Sequence, residues 1–190
     1  QNVLDFAFSK DGLVNIDEDA ARKLDNVEVL ANDILINITG DSVARTCLVP
    51  NEILPARVNQ HVSIIRVDES LSYYKYIIYK LQALKRHLIS YSSSGATRKA
   101  LTKSMLDNLS LALPPMQEQK AIADTLSAID DKIELNNKIN KNLEAQAQAI
   151  FKSWFIDFEH LKNGEFVESE LGMIPKGWEV VKLGDKFNFV

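Results

Sequence analysis

The stretch "LPPMQEQKAIADTLSAIDDKIELNNKINKNLEAQAQAIFKSWF", residues 113–155, decides how the rest of the chain is read. Two prolines, Pro114 and Pro115, stand at its start, and no further proline or glycine occurs before Gly164. Proline fixes its own φ and pushes the preceding residue out of helical conformation, so the pair closes one unit and opens a helix behind it. Placing Ile122, Ile129, Asn136, Leu143 and Ile150 at heptad position d puts Leu126, Ile133, Asn140, Ala147 and Trp154 at position a without a slip. Four-three spacing held over these positions predicts a coiled coil rather than a helix lying on a globular core. About forty residues at ~1.5 Å each reach roughly 60 Å, longer than a domain of this size is wide. Such a helix exposes its seam unless a partner helix covers it. Asn136 and Asn140 sit on that seam, where a buried amide lowers stability but fixes register and pairing. The alternative is a wet, irregular middle, and Ile139 beside the polar seam supports it.

Composition bounds the rest. The 190 residues suffice for one or two small domains, with 46% hydrophobic and 25% charged residues, ordinary for a globular protein. The single Cys47 excludes an internal disulfide framework, and three scattered histidines argue against a Cys/His metal cluster. Within "RTCLVP" the cysteine reads as a buried structural thiol. No apolar run approaches the ~20 residues that span a bilayer and no signal-peptide pattern opens the chain, which fits a cytoplasmic protein without a membrane partner. The first residue is Gln1 rather than Met, as expected of a segment that begins inside a longer protein.

The net charge is −4, but it is unevenly spread. From Ser70 to Leu106 there is no Asp or Glu, while Lys75, Lys80, Lys85, Arg86, Arg98, Lys99 and Lys103 occur there with His87. Tyr73, Tyr74, Tyr76, Tyr79 and Tyr91 lie in the same window. This asymmetry is the footprint of a polyanion-binding face on an acidic protein; a solvated helix face bearing lysines is the plainer alternative. The tyrosines at helical spacing read as core rather than as base-stacking platforms.

Residues 1–113 read as a mixed α/β (α+β) domain. Ile34–Ile38 predicts a strand closed by a turn at Gly40, and "RTCLVP" and "NQHVSIIRVD" predict two more. In "SLSYYKYIIYKLQAL" apolar positions 73, 74, 77, 78, 81 and 84 predict a helix, capped by Ser70 or Ser72. "SYSSSGATRKALTKSMLDNLSLALPP" reads as a small-residue loop, a short helix and a strand that ends in the prolines. The long helix occupies about 116–158. Residues 161–190 read as a linker and the opening of another folded unit, too short for its own core.

Catalytic motifs are missing. The sequence has no GxxxxGK[ST] phosphate loop, no HExxH and no Cys-x-x-Cys. DNA amino-methyltransferases need Asn or Asp before a Pro-Pro turn and an aromatic after it; here Leu113 and Met116 occupy those places, and no glycine-rich loop for S-adenosylmethionine exists. Asp130 with Asp131, or Asp17, Glu18 and Asp19, fall on exposed faces, so no residue is assigned a catalytic role.

In order along the chain, "NDILINITG", "NQHV", "SSSGATRKALT", the Leu-Pro-Pro-x-x-Glu-Gln start of the helix, its "IFKSWF" end and "GMIPKGWEVVKLGD" together resemble the specificity (S) subunit of type I restriction–modification systems. The resemblance covers nearly the whole chain. It implies a target recognition domain at 1–113 that reads half of a bipartite double-stranded DNA target. It implies a conserved-region long helix at 114–160 that pairs antiparallel as a spacer, and at 161–190 a linker with the opening of a second or partner-chain recognition domain. Methyltransferase (M) subunits would methylate adenine N6 with S-adenosylmethionine, and a restriction (R) subunit would use ATP and Mg to translocate and cleave. This chain would bind no cofactor, and would supply affinity and sequence choice without catalysis.

A full S subunit carries two recognition domains and two helices, whereas one of each is present here. Either the chain is an excerpt or it is a half-subunit that forms an antiparallel homodimer, in which residues 172–190 complete the partner's domain and the target is palindromic. The expected DNA-contacting residues are Thr39, Gly40, Asp41, Ser42 and Arg45 at a strand end, and Ser93, Ser94, Gly95, Thr97, Arg98 and Lys99 for phosphate or guanine. Asn59, Gln60 and His61 either brace the loop or reach DNA. Lys75, Lys80, Lys85 and Arg86 would add affinity irrespective of sequence. A structural coiled-coil adaptor without DNA specificity is the competing function.

Overall fold

A continuous apolar run at Ile34, Leu35 and Ile36 is the signature of a strand buried on both faces, and the fold is built around it. The computed structural model describes residues 2–93, 99–161 and 164–187, in two compact units that divide between Asp130 and Asp131. The first unit holds α1 (Glu18–Lys23), β1 (Glu28–Val29), β2 (Ile34–Asn37), β3 (Thr46–Leu48), β4 (Ala56–Arg57) and β5 (Val62–Ile65). Then come α2 (Tyr74–Ala83), α3 (Lys85–Ser92), α4 (Lys103–Asp107) and the first turns of α5 (Met116–Phe151). The mixed α/β reading holds.

β2 is the centre of a three-stranded antiparallel sheet, with Leu35 opposite Cys47 of β3 and Ile64 of β5. Strand side chains alternate between faces, so β2 feeds two cores. Ile34 and Ile36 pack with Ile77, Ile78 and Leu81 of α2, Leu88 of α3 and Ala123 of α5. Leu35 packs with Val3, Val29, Cys47 and Val49, beside the small β1–β4 pair. Cys47 is buried as its apolar context predicts, and desolvation pushes its thiol up to about 12.

The β2 end next to β5's C-terminus is tied by a fork. Buried Asp33 accepts from Arg66 Nε at 2.8 Å and from a terminal guanidinium nitrogen at 2.7 Å, and also from the Leu30 N–H at 2.7 Å. The same arginine donates to the Glu28 carbonyl, and its pairing with Asp33 raises its own pKa.

Several sequence expectations are corrected. The first strand stops at Asn37. The helix expected over 73–84 ends at Ala83, and α3 starts after Leu84 without any glycine or proline. Its break lies between Gln82 and Lys85, whose side chains both reach Asp5. Neither candidate serine caps α2. Ser70 is held by the Asp68 carboxylate, and Ser72 is buried. The stretch 109–115, expected as a strand, belongs to no strand or helix. The long helix ends at Phe151, and a π-helical turn, Lys152–Ile156, follows with the Asp157 N–H donating to the Lys152 carbonyl at 2.8 Å. This turn takes more residues than an α turn and moves Trp154 out of register with the seam.

α5 is a single helix whose first turns pack on α2, and beyond them no second long helix lies along it among the described residues. Ile129 and Ile133 are each 54% exposed and Leu143 57%. In the second unit the antiparallel hairpin β6 (Phe166–Ser169) and β7 (Gly172–Pro175) precedes α6 (Leu183–Lys186). Phe158 sits edge-on to Phe166 and Trp178, at 5.9 and 5.2 Å between ring centroids. Pro175 is the one buried residue described after Leu161, so this segment forms no core of its own. Among the described residues no helix is long and apolar enough to cross a membrane.

Candidate nucleic-acid interface

Three of the segments expected to contact DNA meet at the Asn37 end of the central sheet. The first is the turn 38–45. Gly40 takes φ +73°, a left-handed conformation that glycine adopts without penalty. The chain then closes back on β2, with the Val43 N–H on the Gly40 carbonyl and the Ala44 N–H on the Asn37 carbonyl. Asn37 is itself buried and its side-chain amide donates to the Val3 carbonyl at 2.9 Å, which anchors this end of the strand.

The second segment is 59–61, just before β5. The Asn59 carboxamide oxygen accepts the His61 N–H at 3.0 Å, so Asn59 braces its own turn. The His61 ring nitrogen Nδ1 lies 2.8 Å from the Thr39 hydroxyl, and the His61 carbonyl accepts the Ile38 N–H. Gln60 and His61 are exposed.

The third segment is rooted on both sides. Ala100 bridges Thr39 in antiparallel fashion, and the Gly40 N–H donates to the Lys99 carbonyl at 3.1 Å. The Ala100 N–H donates to Ser92 at the end of α3, which joins the two ends of the loop. Ser94, Gly95, Thr97 and Arg98 lie outside the described residues.

Thus Thr39, Gly40, Asp41, Arg45, Gln60, His61 and Lys99 share one end of the sheet. Asp41 and Lys99 are exposed and Arg45 half-buried at the start of β3. Ser42 is buried and donates to the Thr39 carbonyl, and Ser93 donates to Ile89, so both hydroxyls serve the backbone. Lys75 and Lys80 are on α2 and Arg86 on α3, and the hydrogen bonds that hold the three loops do not involve them. Lys85 is ion-paired with Asp5. The cluster combines cationic donors, amide and imidazole groups and one carboxylate, a set able to grip phosphate oxygens and read base edges. No group of three or more His, Cys, Asp or Glu able to hold a metal occurs among the described residues.

One structural residue escapes the sequence reading. Gln119, in the first turn of α5, is only 1% exposed. A glutamine on a long polar helix reads as solvated; its signal is the four-residue step to Ala123, which is fully buried.

With this geometry in place, comparisons with known proteins agree on one group. Residues 6–145 match the family described as type I restriction modification DNA specificity domain. Over 134 residues, 69% of this chain and 31% of the relative, the sequence is 43% identical to the type I restriction enzyme MjaIX specificity subunit of Methanocaldococcus jannaschii. The MjaVIII specificity subunit of the same organism is 32% identical over 165 residues, 85% of this chain and 37% of that one. The HindI specificity subunit of Haemophilus influenzae is 45% identical over 75 residues, 40% of this chain and 16% of that one. A solved chain from a study of complex assembly and conformational transition of the type I R-M system matches with TM-score 0.53 at 16% identity, over 83% of this chain and 39% of that one, which shows a shared fold. The chain spans 16% to 37% of the length of these curated relatives.

Proposed function

The chain belongs to the type I restriction–modification DNA specificity domain family, and from that premise we propose that its first unit is a target recognition domain for one half of a bipartite duplex site. The observation that carries this reading is the convergence of Thr39, His61 and Lys99, from three separate segments, at one end of the sheet. Loops pinned to one another by backbone bonds present a fixed set of donors and acceptors, as base-edge readout requires. Arg45 and Lys99 supply charge beside them, while the lysines of α2 contribute attraction without sequence choice.

The chain acts without chemistry of its own. Adenine-N6 methylation belongs to methyltransferase subunits that hold S-adenosylmethionine, and translocation and cleavage belong to a restriction subunit using ATP and Mg. α5 is the spacer, and its exposed stripe of Ile122, Leu126, Ile129 and Ile133 is covered by a second helix lying antiparallel. In a half-subunit that helix comes from a second copy, and residues 172–190 complete the partner's domain. The aromatic group at the end of α5, Phe151, Trp154 and Phe155, is available to a methyltransferase subunit.

Duplex binding measured against salt, with the methyltransferase partner present, tests the interface. Each neutralised phosphate contributes roughly one logarithmic unit of slope. Arg98→Ala with Lys99→Ala should lower affinity and flatten the slope by about one to two units. An unchanged affinity and slope would remove this loop from the interface, and a protein with no salt-sensitive duplex affinity would be an adaptor instead.

A further inference from the structure

The start of α5 is held by an arrangement that a simple linker would not need. The Gln119 side chain bridges two elements: its oxygen accepts the Tyr73 N–H at 3.0 Å and its amide donates to the Pro114 carbonyl at 2.9 Å. Pro115 offers its carbonyl to the N–H groups of Glu118 and Gln119, so the two prolines and the glutamine form one closed joint. One turn on, Ala123 is fully buried against the α2 core, and Lys120 lies 6.0 Å from the centre of the Tyr73 ring. At the fourth turn Asp130 accepts from the Tyr79 hydroxyl at 2.5 Å. Tyr73 immediately precedes α2 and Tyr79 lies midway along it, so α5 is fastened to the same short helix at two points.

Positions 119, 123 and 130 share one face of α5 at ~100° per residue, and the Ile122–Leu126–Ile129–Ile133 stripe lies roughly 80° around from it. The two faces therefore serve different partners at once. Docking to the recognition unit leaves the stripe open.

We propose that Gln119 and Asp130 act as positioning residues, a two-point clamp that sets the direction in which α5 leaves the recognition unit and so fixes the separation of the two DNA half-sites. This rests on the spacer role proposed above. The lever arithmetic supports it. The anchors are ~16 Å apart, and Phe151 is ~48 Å from Gln119, at 1.5 Å per residue. Play of about 1 Å at Asp130 therefore displaces the far end of the helix by about 3 Å, close to the ~3.4 Å rise of one base pair. An extra hydrogen bond at the fourth turn is worth little as stability but much as an aiming device.

The test uses the full chain with its methyltransferase partner, and the variants Tyr79→Phe and Gln119→Leu, neither of which opens a large cavity, with Asp130→Asn as the conservative control that keeps an acceptor. Spin labels at Ser110→Cys and Gln148→Cys, diluted with unlabelled chain, report the spread of helix directions; Cys47 is buried and stays unlabelled. Methylation of duplexes whose gap is lengthened or shortened by one base pair reports spacing. Tyr79→Phe and Gln119→Leu should broaden the distance distribution by about 3 Å and reduce the preference for the native gap at least fivefold, with half-site affinity unchanged and Asp130→Asn close to the parent. An unbroadened distribution overturns the clamp. A broadened distribution with the gap preference intact overturns its link to spacing. If the parent protein itself ignores gap length, the spacer role fails while the distances alone still decide the clamp.

Discussion

Replacing Arg66 by methionine tests whether the fork at the far end of the central sheet is a structural lock. Asp33 has a side chain only 1% exposed, and Arg66 one that is 51% exposed. The arginine supplies two of the three hydrogen bonds to that carboxylate, leaving the Leu30 N–H as the third. Stranding a buried carboxylate costs about 3–5 kcal/mol when no water can reach it. Half-exposure of the arginine gives water a route to the vacated side, so the cost is discounted to about 2 kcal/mol. Methionine keeps the aliphatic stem, which isolates the charge. Adding Asp33→Asn removes the stranded charge but retains an acceptor for Leu30, so the double variant should recover about 1 kcal/mol. Urea unfolding followed by near-ultraviolet circular dichroism of tyrosine suits the question, because all five tyrosines lie in the first unit and both tryptophans in the second. The duplex-binding salt slope should not change, since the fork lies at the opposite end of β2 from Thr39. A cost below about 0.5 kcal/mol, or a double variant less stable than Arg66→Met, would refute the reasoning.

Gly40→Ala meets no atom within 4 Å but must hold φ +73°, so it should destabilise by about 1–2 kcal/mol through backbone strain alone, read by the same unfolding curve. Cys47 predicts an alkaline weakness. Its thiol sits at about 12 when folded against an ordinary 9.0, so only the unfolded state sheds the proton in between. Stability should therefore fall as pH rises above 9, by up to ~1.4 kcal/mol per pH unit, and Cys47→Ala should flatten that fall. If a second copy covers the α5 stripe as proposed, Ile129→Ser with Ile133→Ser should weaken that association about a hundredfold or more in sedimentation while leaving the tyrosine unfolding curve in place, because both residues are half exposed in the single chain.

What the sequence disclosed follows from where its physics is local. The run Ile34–Ile36 and the β-branched "VSII" announce strands because burial demands apolar side chains at those positions, and the proline pair announces α5 because proline acts on its neighbours alone. The two-residue strands β1 and β4 leave no such trace, since Glu28 and Arg57 stand opposite each other in a separate two-stranded pair and form their ion pair only in the fold. The break at Leu84 carries no glycine or proline; it coincides with Gln82 and Lys85 turning to Asp5, which is 77 or more residues away. Among the site residues, the turns at 38–45 and 59–61 were legible from their small and polar residues, but the contact between Thr39 and His61 joins positions 22 apart and exists only in the folded sheet. Ser42 shows the converse, a polar residue in a candidate loop whose hydroxyl is turned inward. Gln119 was hidden for the same reason, because its two partners lie on different elements.

The most direct measurement is the sequence context of methylated adenines produced when the chain, purified with its methyltransferase partner, is given DNA and S-adenosylmethionine. Methylation confined to one target made of two short blocks separated by a gap of fixed length, and palindromic if two copies of this chain assemble, is the predicted result. Methylation at a single uninterrupted motif, or at adenines without common context, would contradict a recognition unit joined to a spacer.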